Sequence, residues 1–354
     1  MLLVLVLAAA LWGLGALMGT PRRMRWTMIG VLWLGVVLLH LILPVGHPLR
    51  LATGEAAAPW LLLGGFAALF MGYRAVLRRV RHRIDAKRDV PETGGGPFRP
   101  AELERYARHI VLREIGGPGQ KRLKDAGVLV IGAGGLGSPA ILYLAAAGVG
   151  RIGIVDDDVV DNSNLQRQVI HTDARIGMPK VFSAKDAVTA QNPYAEVLPY
   201  KRRLDEETAE GLFPDYDVIL DGTDNFETRY LANRVAARLG KPLISGALSQ
   251  WEGQLSVFDP ARGTPCYQCV FPEAPADGLA PSCAEAGVLG PLPGVVGAMM
   301  AVETIKVITG AGAVLRGEML IYDALYGESR KIALTRRAEC PVCGDAIAGS
   351  RTDA

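Results

Sequence analysis

Four of the five cysteines form two Cys-x-x-Cys pairs. Cys266 and Cys269 make the first pair and Cys340 and Cys343 the second, with 70 residues between the pairs. Two such pairs that meet in space supply the four thiolates of a tetrahedral structural zinc site. Disulfides and a redox-active pair are the alternatives, and neither suits a domain kept in a reducing compartment. The spacing therefore predicts a structural Zn²⁺ that ties the end of the chain to residue 266.

The fifth cysteine, Cys283, lies in the Pro- and Gly-rich segment between Pro272 and Pro293. A cysteine in such a loop could act as a nucleophile toward an activated acyl group. It could equally be a thiol without a function. The residues alone leave both interpretations open.

A glycine-rich segment that follows a predicted strand indicates an anion site. Gly132-Ala-Gly-Gly-Leu-Gly137 comes between the apolar run 127–131 and an apolar helix, so its backbone can approach phosphates at a helix N-terminus. Asp156 lies 21 residues after Gly135, the spacing at which an acidic residue binds a ribose hydroxyl. Gly134 is expected to line the phosphates with the other glycines. Because NAD- and FAD-dependent dehydrogenases share this pattern, the loop alone leaves an oxidoreductase open.

Polar and cationic residues after the second predicted strand favour a triphosphate. Arg167 lies in the polar segment 156–168, and Lys180 follows at a predicted helix start. Both can contribute positive charge to phosphates, which hydride transfer does not require. A solvated charged loop is the alternative. The segment adds Asp158, Asn164 and Gln168 as candidate nucleotide ligands.

Two aspartates follow the predicted strand 216–220. Carboxylates at a strand end beside a phosphate site are the oxygen ligands that Mg²⁺ prefers. One of the pair Asp221 and Asp224 is expected to cap the next helix instead. We assign Asp224, with the adjacent Asn225, to metal or nucleotide, and Asp221 to a supporting role.

The elements that must position these residues alternate between helix and strand patterns from residue 101 onward. Buried strands are predicted at 127–131, 151–155, 195–200, 216–220 and 242–245. Strands that alternate with helices predict an α/β fold with a doubly wound, Rossmann-like, mostly parallel sheet, followed here by the zinc-bearing C-terminal part.

The N-terminal quarter of the chain has a different composition. The 354 residues are 50% hydrophobic with a net charge of +2, which excludes a disordered, collagen-like or disulfide-scaffold protein. Residues 1–90 carry 11 Lys and Arg against 3 Asp and Glu, whereas residues 91–354 carry 27 against 33. The chain therefore joins a basic, apolar part to a mildly acidic one.

Three uncharged apolar runs, at 1–21, 26–49 and 56–73, predict a three-span membrane anchor, since about 20 apolar residues cross a bilayer. A signal peptide fits poorly because no Lys or Arg precedes Leu2. Basic residues between the first two runs and within 74–88 place those segments in the cytoplasm and the N-terminus outside. The basic cluster is interpreted as a lipid-side anchor, so no nucleic-acid partner is expected. We predict an anchor at 1–83, a linker at 84–100 and a cytoplasmic domain at 101–354 on the inner membrane.

Together, the motifs resemble the ThiF/MoeB/HesA family, the bacterial relatives of ubiquitin-activating enzymes. The resemblance covers residues 102–344 and rests on motifs in the family's order and spacing. These are Arg105-Tyr-Ala-Arg108, Gly132–Gly137, Asp156–Asp158, Asn164-Leu-Gln-Arg167-Gln168, Lys180, Thr223-Asp224-Asn225 and both Cys-x-x-Cys pairs.

The resemblance implies an adenylyltransferase that uses ATP and Mg²⁺ to join AMP to the C-terminal carboxylate of a ubiquitin-like sulfur carrier ending in Gly-Gly. It implies that Asn164, Arg167 and Lys180 engage the phosphates and that Asp224 helps to place Mg²⁺. It further implies that Arg108 reaches the ATP of a neighbouring subunit, and hence a homodimer. Carboxylates are poor nucleophiles, so such catalysis depends on alignment and on neutralising the leaving pyrophosphate.

The sequence around Cys283 is closer to the molybdopterin-pathway type than to the thiamine-pathway type, in which the matching cysteine forms a covalent link. A MoaD-type carrier is therefore favoured and a ThiS-type carrier second. The apolar N-terminal part departs from the common family pattern and leaves the carrier open. A catalytically inactive nucleotide-binding membrane scaffold and an NAD-dependent oxidoreductase are the alternative functions.

Overall fold

The computed structural model describes residues 2–54, 56–88, 96–275 and 286–344. The chain divides into two compact units, Met1–Thr93 and Gly94–Ala354. The division falls inside the predicted linker at 84–100.

The N-terminal unit is helical. Its helices are α1 (Leu2–Leu17), α2 (Arg22–Ile42), α3 (Pro48–Thr53) and α4 (Ala58–Arg88). Arg23–Ile42 and Ala58–Leu77 are long and apolar enough to cross a membrane, whereas α1 is shorter at 16 residues. Helix α4 extends beyond residue 83, so the first residues of the predicted linker are helical.

A small core holds the N-terminal unit together. Val36 and Trp60 are buried, and the Trp60 indole N–H donates to the carbonyl of Thr53 at 3.1 Å. His40 is 3% exposed, with its Nε2 3.0 Å from the Thr53 hydroxyl. His40 of α2 is therefore buried within the N-terminal unit, next to Thr53 of α3.

The second unit is built on one eight-stranded sheet in the order β3-β2-β1-β4-β5-β6-β7-β8. Strands β1 to β5 are parallel and β6 to β8 are antiparallel. The strands are β1 (Gly127–Ile131), β2 (Arg151–Val155), β3 (Glu196–Tyr200), β4 (Val218–Asp221), β5 (Leu243–Leu248), β6 (Glu252–Phe258), β7 (Glu318–Asp323) and β8 (Glu328–Ala333). The five predicted parallel strands are confirmed, and the antiparallel extension is an addition to them.

The helices of this unit are α5 (Pro100–Ile110), α6 (Gly116–Asp125), α7 (Gly137–Ala147), α8 (Lys180–Gln191), α9 (Glu206–Leu212), α10 (Phe226–Leu239), α11 (Tyr267–Val270) and α12 (Pro291–Thr309). Strand β1 shows why the sheet is covered on both faces: Val128 and Val130 join one buried cluster, and Leu129 and Ile131 join the other. This is the packing of a doubly wound sheet, in which both faces of a strand are apolar.

Helix α12 has the length and composition of a membrane span, but half of that apolar stretch is buried within the folded unit. Val296 and Met300 belong to the same buried cluster as Leu144 of α7 and Val257 of β6. A Cβ on Gly297 would lie 2.3 Å from the carbonyl oxygen of Leu136, so glycine permits close approach to the start of α7. Helix α12 is therefore a core helix of this unit.

The sheet order sets the position of the ligand crevice. Strand β1 has β2 on one side and β4 on the other, and ligands of doubly wound sheets bind beyond the carboxyl ends where the order reverses. Gly132 leaves β1 with φ +90°, and a Cβ on Gly137 would lie 1.9 Å from the Gly132 carbonyl oxygen. The tight turn needs both glycines, and it opens onto this crevice.

Candidate functional site

A cavity of about 700 Å³ lies at the carboxyl ends of β1, β2 and β4. It brings together eleven of the residues predicted for the nucleotide: Gly132, Gly134, Gly135, Asp156, Asp158, Asn164, Arg167, Gln168, Lys180, Asp224 and Asn225. Gly137 is not among the lining residues, because it packs against the turn. Arg108 is exposed on α5, away from the lining, and Cys283 lies outside the described residues.

Asp156 fixes the glycine turn from one side. Its Oδ2 accepts from the Ala133 N–H and its Oδ1 from the Asp158 N–H, both at 2.8 Å. Burial raises the pKa of the Asp156 carboxyl, and the Lys180 ammonium opposes that rise. The carboxylate therefore connects the turn after β1 to the loop after β2, where the ribose is expected.

His171 fixes the same turn from the other side and has no signal in the sequence. Its Nε2 lies 2.9 Å from the Ala133 carbonyl oxygen, and its Nδ1 lies 2.9 Å from the Ser183 hydroxyl. Burial lowers the pKa of the imidazole, which favours the neutral ring. Asp156 thus binds the backbone N–H of Ala133, and His171 binds its backbone carbonyl. Because these residues are far apart in sequence, only tertiary packing reveals the contact.

The cationic side of the cavity consists of Lys180 and Arg167. Lys180 begins α8, is 4% exposed, and its Nζ donates to Asp158 Oδ2 at 2.7 Å. The Arg167 guanidinium donates to Asn164 Oδ1 at 2.9 Å and to the Ser163 carbonyl at 3.2 Å. These contacts orient both cations at the cavity, where they can neutralise phosphate charge.

An unpaired oxygen on the Gln168 side chain indicates that a polar ligand fits this cavity. Its side chain is 4% exposed, and Oε1 has no hydrogen-bond partner among the described residues. Leaving a buried acceptor unpaired costs about 1–3 kcal/mol. A nucleotide hydroxyl or amino group could satisfy it, so the residues present fit the predicted ligand.

The loop after β4 corrects one prediction. Neither aspartate caps α10: Asn225 is the N-cap, and its Oδ1 accepts from the Thr228 N–H at 2.9 Å. Asp221 is fully buried, with its Oδ2 3.3 Å from the Arg229 guanidinium. An amide oxygen caps a helix as well as a carboxylate does, and the local spacing cannot distinguish them.

Asp224 remains the acidic group of this loop that lines the cavity and is exposed. No ion pair or hydrogen bond involves its carboxylate within the described ranges. Arg229 holds the loop from below by donating to the carbonyls of Thr223 and Gly246. Asp224 is therefore available for a cation or nucleotide, whereas Asp221 is committed to Arg229.

The four paired cysteines meet in one buried cluster, as predicted. The Cys266 and Cys340 sulfurs are 3.6 Å apart and those of Cys269 and Cys343 are 3.4 Å apart. All four lie within 4.8 Å of one another. Thiolates bound to zinc at about 2.3 Å in a tetrahedron lie about 3.8 Å apart, so the cluster fits the ion. The sulfurs are too distant for disulfides, which need about 2.05 Å.

The doubly wound sheet, glycine turn and cationic cavity define a nucleotide-binding domain of the Rossmann type. The fold is similar to that of E. coli MccB with AMPCPP and MccA, at a TM-score of 0.61 and 23% identity over 69% of this chain and 75% of that one. At that identity, the likeness supports the fold.

Sequence comparison then identifies the family. The ThiF family pattern matches residues 106–342, and the chain belongs to the ThiF family. It is 50% identical to a sulfur carrier protein adenylyltransferase of Thermus thermophilus over 248 residues, 69% of this chain and 92% of that relative. It is 47% identical to the SAMP-activating enzyme E1 of Haloferax volcanii, over 69% of this chain and 90% of that relative.

A probable adenylyltransferase/sulfurtransferase MoeZ of Mycobacterium tuberculosis is 52% identical over 68% of this chain, which spans 62% of the length of MoeZ. The Thermus and Mycobacterium relatives are both named as adenylyltransferases. The chain is an adenylyltransferase of the MoeB/ThiF type.

Proposed function

We propose that this protein adenylates the C-terminal glycine carboxylate of a ubiquitin-like sulfur carrier, with the MoaD type favoured over the ThiS type. The observation that carries the proposal is the cavity in which Asp156, Arg167, Lys180 and Asp224 meet. Relatives named as sulfur-carrier adenylyltransferases support the same substrate class.

In the proposed reaction, a carboxylate oxygen of the carrier attacks the α-phosphorus of ATP. A new oxygen–phosphorus bond forms, the bond from the α-phosphorus to its bridging oxygen breaks, and pyrophosphate leaves with that bonding pair. Arg167 and Lys180 would stabilise the charge that develops on the leaving group. The attacking carboxylate is already ionised near neutral pH, so no general base is required.

Two metals fit the residues present. Asp224 would contribute an oxygen ligand to Mg²⁺ bound with the triphosphate, and Asp156 to Asp158 bring further carboxylates to the same edge. The four cysteines would hold Zn²⁺ as thiolates. Burial raises the pKa of the Cys269 thiol to about 11, so zinc binding at neutral pH would release protons.

We also propose a homodimer in which Arg108 completes the site of the neighbouring subunit. Arg108 is exposed on α5, as this arrangement requires. Val111, immediately after α5, is 75% exposed and supplies apolar surface beside it. In such a dimer, Arg108, which matches a motif of the family, would contribute to the partner's cavity. This explains why it does not line the cavity of its own subunit.

The substrate is tested by ATP–pyrophosphate exchange with purified carriers. We expect exchange with a MoaD-type carrier to exceed that with a ThiS-type carrier. A carrier lacking its final glycine is the matched control and should give none, because the reacting carboxylate is displaced. Absence of exchange with every Gly-Gly carrier would contradict the proposal, and tight NAD binding without ATP binding would favour the oxidoreductase.

The membrane assignment is a further proposal: the N-terminal unit anchors the protein in the inner membrane, with the catalytic domain in the cytoplasm. Two apolar helices of sufficient length support it, and α1 has apolar, exposed residues such as Leu5 and Leu14.

Deleting residues 1–93 is expected to move the protein from the carbonate-washed membrane fraction to the soluble fraction. The truncated protein should retain exchange activity, because every described residue that lines the cavity follows residue 130. Fractionation followed by immunoblotting measures the distribution. Recovery of the full-length protein in the soluble fraction would refute the anchor.

A further inference from the structure

The nucleotide cavity has an aromatic wall on the side away from the glycine turn. Tyr267 and Phe271 line the cavity together with Gln254 of β6. In the sheet, β5 and β6 lie across β4 from β1 and β2, which carry the predicted phosphate and ribose contacts. The aromatic wall therefore lies across β4 from the predicted phosphate and ribose contacts.

The cysteine cluster positions this wall. Tyr267 begins α11 between Cys266 and Cys269, so its backbone is held between two candidate zinc ligands. Asn233 of α10 adds a second restraint: its Oδ1 accepts from the Tyr267 N–H at 2.9 Å, and its Nδ2 donates to Cys266 Sγ at 3.7 Å. The cluster thus fixes a residue of the cavity as well as the end of the chain.

Ring packing completes the restraint on Tyr267. Its ring centroid lies 5.3 Å from that of Tyr230, 5.6 Å from that of Phe258 and 4.8 Å from that of Phe271. These edge and tilted contacts stabilise aromatic pairs and leave little rotational freedom. Tyr267 is 5% exposed, so its side chain is held in one place before substrate binds.

The hydroxyl group of Tyr267 differs from that of its neighbour Tyr230. The Tyr230 hydroxyl donates to the Phe271 carbonyl at 2.9 Å. By contrast, the described part of the chain offers no hydrogen-bond partner to the Tyr267 hydroxyl. The phenolic O–H is therefore a hydrogen-bond donor in the cavity wall.

We propose that Tyr267 binds the protein substrate, by donating a hydrogen bond from its phenolic oxygen to an acceptor oxygen of the carrier's C-terminal residue. The inference rests on the proposed function and identifies a residue that selects the peptide tail. The Tyr267 hydroxyl has no hydrogen-bond partner among the described residues, and a carboxylate or peptide oxygen is a strong acceptor for it. Arg167 and Lys180 would bind the phosphates on the other side of the cavity. The C-terminal tail of the carrier is therefore the acceptor for the Tyr267 hydroxyl.

The test is Tyr267→Phe in the full-length protein, assayed by ATP–pyrophosphate exchange in detergent. The substitution keeps the ring packing and removes only the hydroxyl. We expect KM for the carrier to rise about tenfold or more, as loss of a hydrogen bond to a charged group implies. KM for ATP, ATP affinity by calorimetry and zinc content should remain unchanged.

Tyr230→Phe is the matched control, since it removes a hydroxyl from the same aromatic cluster without touching the cavity lining. It should lower the melting temperature slightly and leave KM for the carrier within about twofold, as expected for a structural hydrogen bond. Unchanged KM for the carrier in Tyr267→Phe would overturn the inference, as would an equal rise in KM for ATP. Absence of exchange in the unaltered protein would overturn the proposed function and this inference with it.

Discussion

Arg167→Ala is expected to reduce ATP–pyrophosphate exchange by about a thousandfold or more, because a preorganised cation at a phosphoryl site contributes on that scale. The Arg167 guanidinium lies at the cavity and is oriented by the Asn164 side chain at 2.9 Å. Alanine removes the charge that would stabilise pyrophosphate as it leaves. Exchange with a saturating carrier concentration measures the effect.

Folding should be unaffected by this change, since the hydrogen bonds of the Arg167 side chain among the described residues go to Ser163 and Asn164 of its own loop. Zinc content and the melting temperature should match those of the unaltered protein. Arg262→Ala is the control, because Arg262 is exposed and lies outside the cavity lining. Full turnover by Arg167→Ala would show that the phosphates bind elsewhere.

The second large effect is expected from Arg229→Met, which should lower the free energy of unfolding by about 3–5 kcal/mol, because it leaves a buried carboxylate without its cation. Asp221 and Arg229 are 3.3 Å apart, with side chains 1% and 6% exposed. The same guanidinium donates to Ser245 Oγ at 3.0 Å and so connects α10 to β5. Chemical unfolding of the second unit, Gly94–Ala354, measures the loss.

A double variant separates the charge from the packing. Combining Arg229→Met with Asp221→Asn removes both charges, so the double variant should be more stable than Arg229→Met alone. If Arg229→Met lowers the free energy of unfolding by less than about 1 kcal/mol, the buried ion pair does not stabilise the loop after β4.

The strand predictions are correct where a buried strand leaves a short apolar run in the sequence. Strands β1 and β2 match their predicted bounds because each is a short apolar run that ends at a glycine turn or an acidic loop. Strand β8 gave no such pattern. Every residue of β8 is exposed, so its sequence lacks the apolar alternation from which strands are predicted.

Helix α12 escaped prediction because its glycines and prolines resemble those of a loop. Gly297 is in fact a packing residue, since a Cβ there would meet the Leu136 carbonyl. Pro291 and Pro293 lie in the first turn, where proline is tolerated. The prolines and glycines of its first two turns favour a loop, whereas the contacts with α7 and β6 favour the helix.

The motifs by themselves determined the fold class, the two cysteine pairs and most residues of the nucleotide cavity, because phosphates and thiolate-bound metals require particular residue types at set spacings. Only the tertiary structure decided that Asp221 pairs with Arg229, that His171 clamps the glycine turn, and that Tyr267 faces the same cavity as Arg167. These contacts join segments from different strands and helices, and their geometry depends on how the sheet brings the carboxyl ends of its strands together.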